Sequence, residues 1–144
     1  SMLTLLEIEQ YLKPLGLYKN KALHLMQIVD TLIHKFNYKV PNTMEELTSL
    51  PGVGNKTARV VLCEIFKIPE FPVDTHVSRI SKRLKLVKNS DDPDEISNKL
   101  KKKFPKDRWI KSHHQFIHFG RYFCKAKNPS CESCKLKQYC NYSK

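Results

Sequence analysis

A short segment containing one proline and two glycines separates two helical patterns near the middle of the chain. It spans Leu50–Ala58 and has the sequence Leu-Pro-Gly-Val-Gly-Asn-Lys-Thr-Ala. Proline and glycine end one helix and permit a tight turn before the next helix begins. The second helix starts near Asn55, where its first backbone N–H groups have no acceptors within the helix. We therefore predict two helices joined by a hairpin, with a binding site for an anionic oxygen beside Gly52 and Gly54.

The charge balance indicates which anion this site would bind. The chain has 26 Lys and Arg residues against 14 Asp and Glu, which gives a formal net charge of +12. A field of this sign attracts phosphate-rich polymers, although a protein that is merely basic remains the alternative. A nucleic acid is therefore the partner predicted from charge. The sequence contains no run of about 18 apolar residues, so no membrane-spanning helix is expected.

The spacing of apolar residues predicts an all-α protein, because no strand-like alternation of useful length occurs. The predicted helices cover residues 3–12, 19–36, 43–49, 55–66, 74–84, 93–103 and 106–122. Thr43, followed by Glu46, is expected to form a capping box, and Asp74 is expected to be an N-cap. The segment 67–72 contains two prolines and predicts a linker between two lobes, residues 3–69 and 70–144.

Several side chains have predictable surroundings. The helix over 55–66 is expected to bury a stripe consisting of Ala58, Val61, Leu62 and Ile65. Cys63 has no cysteine near it in sequence and is expected to be a buried free thiol. A run of positive charge on or after the helix at 74–84 is interpreted mainly as a solvated face, of which only some residues should touch DNA; it consists of Arg79, Lys82, Arg83 and Lys85. Packing is expected for three histidines of the last helix, His113, His114 and His118.

Four cysteines lie close together near the end of the chain. Cys124, Cys131, Cys134 and Cys140 are separated by six, two and five residues. Disulfides are a poor interpretation for a basic nucleic-acid protein without a secretory signal. Four thiolates bind either zinc or a [4Fe–4S] cluster. Zinc sites usually pair two Cys-x-x-Cys knuckles, and this uneven spacing favours the iron–sulfur cluster.

Three motifs in order resemble those of endonuclease III, a DNA glycosylase of the helix-hairpin-helix superfamily. They are Leu50–Ala58, Val73–Arg79, and His118–Cys124 followed by the spaced cysteines. The resemblance extends over residues 3–140. It implies a two-lobed helix-hairpin-helix glycosylase fold with a C-terminal iron–sulfur cluster loop. The implied activity is removal of oxidised pyrimidines from duplex DNA, followed by cleavage of the strand at the abasic site.

The resemblance also implies roles for particular residues. Lys56 corresponds to the lysine nucleophile, which forms a Schiff base with the opened sugar. Asp74 corresponds to the catalytic aspartate, which stabilises positive charge on the sugar as the base departs. Contacts with DNA are implied for hairpin and loop residues, namely Leu50, Gly52, Val53, Gly54, Lys125 and Lys127. The cluster ligands would be the four spaced cysteines.

Other functions remain open at this stage. The family has further N-terminal helices before the segment that opens this chain, and they contribute to the base pocket. A non-catalytic DNA-binding fragment, keeping hairpin and cluster as scaffold, is therefore the alternative. An adenine-removing relative is disfavoured because such proteins generally lack the lysine at Lys56. The resemblance implies a monomer at full length, located in the cytoplasm and nucleoid of a bacterium or in the nucleus or an organelle of a eukaryote.

Overall fold

The computed structural model describes residues 3–142, and within this range all regular secondary structure is helical. The α-helices are α1 (Leu5–Leu12), α2 (Tyr18–Phe36), α3 (Met44–Thr48), α4 (Asn55–Glu64), α5 (Thr75–Arg83), α6 (Pro93–Lys103) and α7 (Trp109–Tyr122). Two 3₁₀ turns lie at Lys106–Arg108 and Lys137–Tyr139. The predicted all-α class is confirmed. None of the helices between residues 3 and 142 combines the length and the apolar character that a membrane-spanning helix requires.

The chain divides into two compact units. The first ends at Gly54 and the second begins at Asn55, so the division falls within the predicted hairpin motif. The two predicted lobes, residues 3–69 and 70–144, divide the chain elsewhere and remain a prediction.

Local hydrogen bonds explain where several helices begin. Asp74 accepts a hydrogen bond from the backbone N–H of Val77 and forms the predicted N-cap of α5. Thr43 likewise accepts from the N–H of Glu46, which confirms it as the N-cap of α3. The predicted capping box is incomplete there, because the Glu46 carboxylate accepts from the Thr43 hydroxyl instead of the backbone. Complete boxes form at Thr4 with Glu7 and at Asp92 with Glu95.

In the first unit, α1 packs on α2 and leaves much apolar surface exposed. Ala22 is the one residue of α2 that is buried within the described chain. Leu25 and Val29, which belong to the apolar row of α2, stay exposed. A groove of about 690 Å³ runs along these helices and is lined mainly by apolar side chains.

The second unit has a core built around Phe71, which is fully buried. Its ring contacts those of Phe104 and Phe116, with centroids 5.8 and 6.2 Å apart. The hydroxyl of Ser97 on α6 donates to the Phe71 carbonyl at 2.7 Å. The segment 67–72 is non-helical, as predicted, but its last residues lie in this core.

Two helices differ from their predicted form. α4 ends at Glu64, two residues early, and Lys67 takes a left-handed backbone conformation with φ +55°. Ile65 therefore lies beyond the helix and is 62% exposed, so its predicted burial is wrong. Cys63 is buried instead, as predicted for a free thiol. The last predicted helix begins with a 3₁₀ turn and becomes α-helical only at Trp109.

Candidate functional site

The turn before α4 depends on glycine at one of its two positions. Gly52 has φ +73°, and a Cβ there would lie 2.6 Å from Cγ of His24. The backbone N–H of Val53 closes the turn on the Leu50 carbonyl at 3.1 Å. Gly54 has open space around it. The turn therefore needs Gly52 for its conformation and its packing, whereas Gly54 leaves its backbone accessible.

The four hairpin residues predicted to contact DNA differ in exposure. Gly52 and Gly54 are exposed, Val53 is half-buried, and Leu50 is buried in the first unit. The backbone at this turn is therefore more accessible than the Leu50 side chain.

The two predicted catalytic residues lie at the starts of two helices in the second unit. Lys56 is the second residue of α4, and its side chain is exposed. Asp74 is half-buried and its Oδ1 accepts from the Val77 N–H at 2.8 Å. One carboxylate oxygen of Asp74 therefore caps α5, while no hydrogen bond to Oδ2 occurs among residues 3–142.

A buried histidine supports the backbone that leads into Asp74. His113 is 5% exposed, and its Nδ1 donates to the Pro72 carbonyl at 2.9 Å. Burial lowers the pKa of His113, so the ring is held neutral. The predicted packing role is confirmed for His113. His114 and His118 are exposed and make surface contacts: His114 pairs with Glu64 at 2.7 Å, and the His118 ring centroid lies 4.7 Å from that of Tyr122.

The start of α4 is fastened to α6 by a polar network that the sequence analysis did not identify. Arg59 donates to the Asp94 carboxylate at 2.5 Å, and Asn55 donates to its other oxygen at 2.6 Å. The Arg59 guanidinium and this second bond hold the pKa of Asp94 below its usual range. Arg59 also lies 3.4 Å from Glu70. Because Asn55 and Arg59 flank Lys56 on α4, this network fixes the helix turn that carries the lysine.

Two arginines of α5 bind the chain near the first of the spaced cysteines. Arg79 donates to the carbonyls of Gly120 and Cys124, at 2.7 and 3.1 Å. Arg83 donates to Sγ of Cys124 at 3.2 Å and to the Lys125 carbonyl at 2.8 Å. The interpretation of these arginines as a solvated face is therefore wrong. Their spacing of four residues, which places both on one side of α5, is the signal that the sequence carried.

The four spaced cysteines line one small cavity. All four are half-buried free thiols. Apolar side chains complete its wall, among them Ile80, Leu84, Phe119 and Phe123. Across the described residues, no three His, Cys, Asp or Glu side chains are positioned to hold a metal ion. The four cysteines therefore share one cavity, although their thiols are not placed as ligands of a common metal ion.

The segment between Cys124 and Cys131 carries the two lysines predicted to contact DNA. Lys125 and Lys127 are both exposed. Arg83 holds this segment through the carbonyls of Lys125 and Ala126. Lys125 and Lys127 therefore expose two positive charges on a backbone segment that Arg83 holds in place.

Comparison with known proteins identifies the family. Residues 1–106 match the profile of the HhH-GPD superfamily of base excision DNA repair proteins. Since this match extends over more than half of the sequence, the chain belongs to that superfamily. The predicted family and helix-hairpin-helix glycosylase fold are confirmed.

Within the superfamily, the chain is similar to endonuclease III. It is 43% identical to endonuclease III of Bacillus subtilis over 134 residues, which are 93% of this chain and 61% of that protein. The corresponding protein of Thermotoga maritima is 43% identical, with 94% and 63% covered. The chain thus spans less than two thirds of the length of these curated relatives.

Solved structures show the same likeness. A non-covalent endonuclease III–DNA complex matches with a TM-score of 0.95 and 45% identity, covering 98% of this chain and 66% of that one. A trapped covalent intermediate of endonuclease III with DNA matches equally well. A thermostable thymine-DNA glycosylase, 22% identical with a TM-score of 0.84, shares the fold.

Proposed function

We propose that this chain acts in base excision repair as a glycosylase that removes oxidised pyrimidines from duplex DNA and then cleaves the abasic site. One observation carries the proposal. The chain superimposes on DNA-bound endonuclease III with a TM-score of 0.95, and the matching sequence retains a lysine and an aspartate in the expected motifs. Lys56 and Asp74 are accordingly assigned to the reaction.

Lys56 is the nucleophile in this proposal. The damaged nucleotide is flipped out of the helix, which presents its C1′ atom. The Lys56 amine bonds to C1′ while the glycosidic bond breaks, and the base leaves with the bonding electrons and a proton. Opening of the sugar gives a Schiff base with Lys56, which acidifies the C2′ proton. Loss of that proton expels the 3′ phosphate and cleaves the strand by β-elimination.

Asp74 stabilises the positive charge that develops on the sugar as the base departs. Its Oδ1 is held by the Val77 N–H, which fixes the orientation of the carboxylate at the start of α5. The remaining oxygen would face the sugar and help to deprotonate Lys56. The plain alternative is that Asp74 only caps α5, and this alternative has a direct test.

The hairpin and the cysteine loop are the proposed DNA contacts. Exposed backbone N–H groups beside Gly52 and Gly54 would bond phosphate oxygens, with Leu50 and Val53 supporting the turn. Lys125 and Lys127 would bind further phosphates as point charges. Contacts of this kind position a duplex without reading its sequence.

The four spaced cysteines are proposed to hold a [4Fe–4S] cluster, with zinc as the alternative. Support comes from their uneven spacing and from the cavity that all four line. A bound cluster would cross-link the loop that carries Lys125 and Lys127, and so fix both lysines for phosphate binding. Protein purified without oxygen should contain about four irons per chain and absorb visible light. Stoichiometric zinc without iron would contradict the assignment.

The role of Asp74 is tested by comparing two aspartate N-caps. Asp74 caps α5 and Asp92 caps α6, and asparagine is as good an N-cap as aspartate. Asp74→Asn should slow release of an oxidised pyrimidine by about 100-fold or more, the scale of a lost electrostatic stabiliser. Asp92→Asn should leave the rate within about twofold. Equal rates for both variants would show that Asp74 only caps α5. A wild-type chain that binds DNA but shows no activity would favour a non-catalytic DNA-binding module.

A further inference from the structure

A large basic cavity in the second unit lies apart from the residues assigned to the reaction. Its volume is about 1210 Å³, and it is bounded by the end of α5, the loop that follows, α6 and the chain around Tyr142. Five lysines line it, namely Lys82, Lys85, Lys88, Lys99 and Lys103. Arg79 and Arg83 add two further cations. Seven positive groups therefore surround one concave space, whose low-dielectric walls focus their field.

Most of this charge has no internal counter-ion. Lys99 pairs with the buried Asp91 carboxylate at 2.6 Å. The backbone N–H of Lys88 occupies the other oxygen of Asp91. Between residues 3 and 142, neither an ion pair nor a side-chain hydrogen bond is made by Lys82, Lys85, Lys88 or Lys103. These four lysines thus line a common space without a hydrogen-bonded acidic partner among the described residues.

Helix ends account for only part of this pattern. Lys82 and Lys103 lie in the last turns of α5 and α6, where a cation complements the helix dipole. Lys85 and Lys88 lie beyond α5, in the loop that precedes α6, so the same explanation does not apply to them. Lys85 has a left-handed backbone with φ +52°, and the N–H of Leu86 bonds the Ser81 carbonyl at 2.9 Å. The loop that carries these two lysines is therefore closed back on α5.

The wall of the cavity is also held in place. Arg83 is fastened to the carbonyls of Lys125 and Ala126, and its guanidinium stacks on the Tyr142 ring at 3.7 Å. Asn89 and Asn141 contribute amide groups to the lining. The site thus combines fixed planar groups, amide donors and mobile ammonium groups, which is the chemistry that binds phosphate.

We infer that this cavity binds an oligophosphate, a linear run of three or more linked phosphate groups. A single phosphate carries up to two negative charges and would leave most of the lysines unpaired. Linked phosphates can reach lysines on two helices and a loop at once. The ligand is either an inorganic oligophosphate or the phosphate chain of a nucleoside triphosphate. The catalytic, hairpin and cysteine-loop residues of the proposed repair reaction do not line this cavity, so the oligophosphate proposal is tested separately from it.

Inorganic tripolyphosphate is the direct probe, with binding measured by titration calorimetry at low salt. The test variant is Lys85→Gln/Lys88→Gln. Its control is Lys39→Gln/Lys106→Gln, which removes the same charge at exposed lysines that do not line the cavity. We expect about tenfold weaker binding in the test variant and under twofold in the control, since each exposed ion pair contributes up to about fivefold. Thermal unfolding should match among all three proteins, because the substituted side chains are exposed.

The same titration identifies the source of the phosphates. A nucleoside triphosphate that binds more tightly than tripolyphosphate, and loses that advantage in Tyr142→Leu, would assign the base to the free face of the ring. Equal affinities would assign an inorganic oligophosphate. Absence of tripolyphosphate binding would overturn the proposal. Equal weakening in the test and control variants would also overturn it, because attraction would then reflect net charge alone.

Discussion

Gly120 of α7 packs directly against α5. A Cβ at this position would lie 2.9 Å from both His76 Cβ and Ile80 Cδ1, closer than nonbonded carbon atoms approach. Gly120→Ala is expected to destabilise the protein by about 1–3 kcal/mol through overpacking. Gly16→Ala is the control, because open space surrounds Gly16. Urea unfolding measures both, and a Gly120→Ala protein as stable as the control would show that the helices can move apart.

His113 makes stability depend on pH. Its pKa is lowered by burial in the folded state, whereas an unfolded histidine titrates near about 6.5. Below that pH the unfolded chain binds the additional proton, so the free energy of unfolding falls as pH falls. His113→Gln, which retains a hydrogen-bond donor, should lose this part of the slope between pH 7.5 and 5.5, a window set by the histidine value. The exposed His34 supplies a control in His34→Gln. Unchanged pH dependence in His113→Gln would contradict the assignment.

At the scale of the elements, α4 and α6 are joined by Arg59 and Asp94. The pKa of Asp94 is lowered chiefly by the Arg59 guanidinium. The ionised carboxylate therefore stabilises the fold at pH values above the ordinary aspartate pKa of about 3.9. That contribution is lost as pH falls through the lower folded-state pKa. Asp94→Asn should therefore lower the free energy of unfolding at pH 7 and match the wild type at the lowest pH.

The effect of Asp94→Asn should stay below about 1 kcal/mol, because nearly half of the carboxylate is exposed and screened. Chemical denaturation at pH 7 and at pH 3 measures it, pH 3 lying below the ordinary aspartate value. The control is Asp107→Asn, since Asp107 is exposed and makes no ion pair among residues 3–142. A deficit that persists undiminished at acid pH would mean that the pair acts through packing and not through charge.

The residues at which helices begin were predictable from sequence, but the distant residues that each helix contacts were not. Asp74 caps α5 through a bond to Val77, only three residues away, so the whole interaction lies within one short segment. Arg79 instead bonds a carbonyl 45 residues along the chain, and no local pattern specifies such a partner. The burial of Phe71 was likewise not predictable from local sequence. Its proline-flanked segment is typical of a linker, and the rings that bury it, Phe104 and Phe116, lie far along the chain. The motif residues of the site were found by resemblance, which carries long-range information that periodicity lacks.

For the whole molecule, the +12 charge predicts how binding to DNA responds to salt. The logarithm of the binding constant for duplex should fall with the logarithm of salt concentration, by about 0.9 for each phosphate neutralised. Lys125→Gln/Lys127→Gln should reduce this slope by about two and should weaken binding to all DNA sequences by the same factor. Fluorescence anisotropy over a salt series measures the slope. An affinity independent of salt would contradict the electrostatic account.

The assignment of Lys56 as the nucleophile is the central claim, and covalent trapping tests it most directly. The protein is incubated with an abasic-site duplex and borohydride, which reduces a Schiff base to a stable amine and leaves protein joined to DNA. Lys19 provides a matched control, because it is exposed and is the second residue of α2, as Lys56 is of α4. We predict that the wild type and Lys19→Gln are trapped, while Lys56→Gln binds the duplex nearly as well but is not trapped. Trapping of Lys56→Gln at the wild-type level would show that another amine attacks the sugar and would contradict the account.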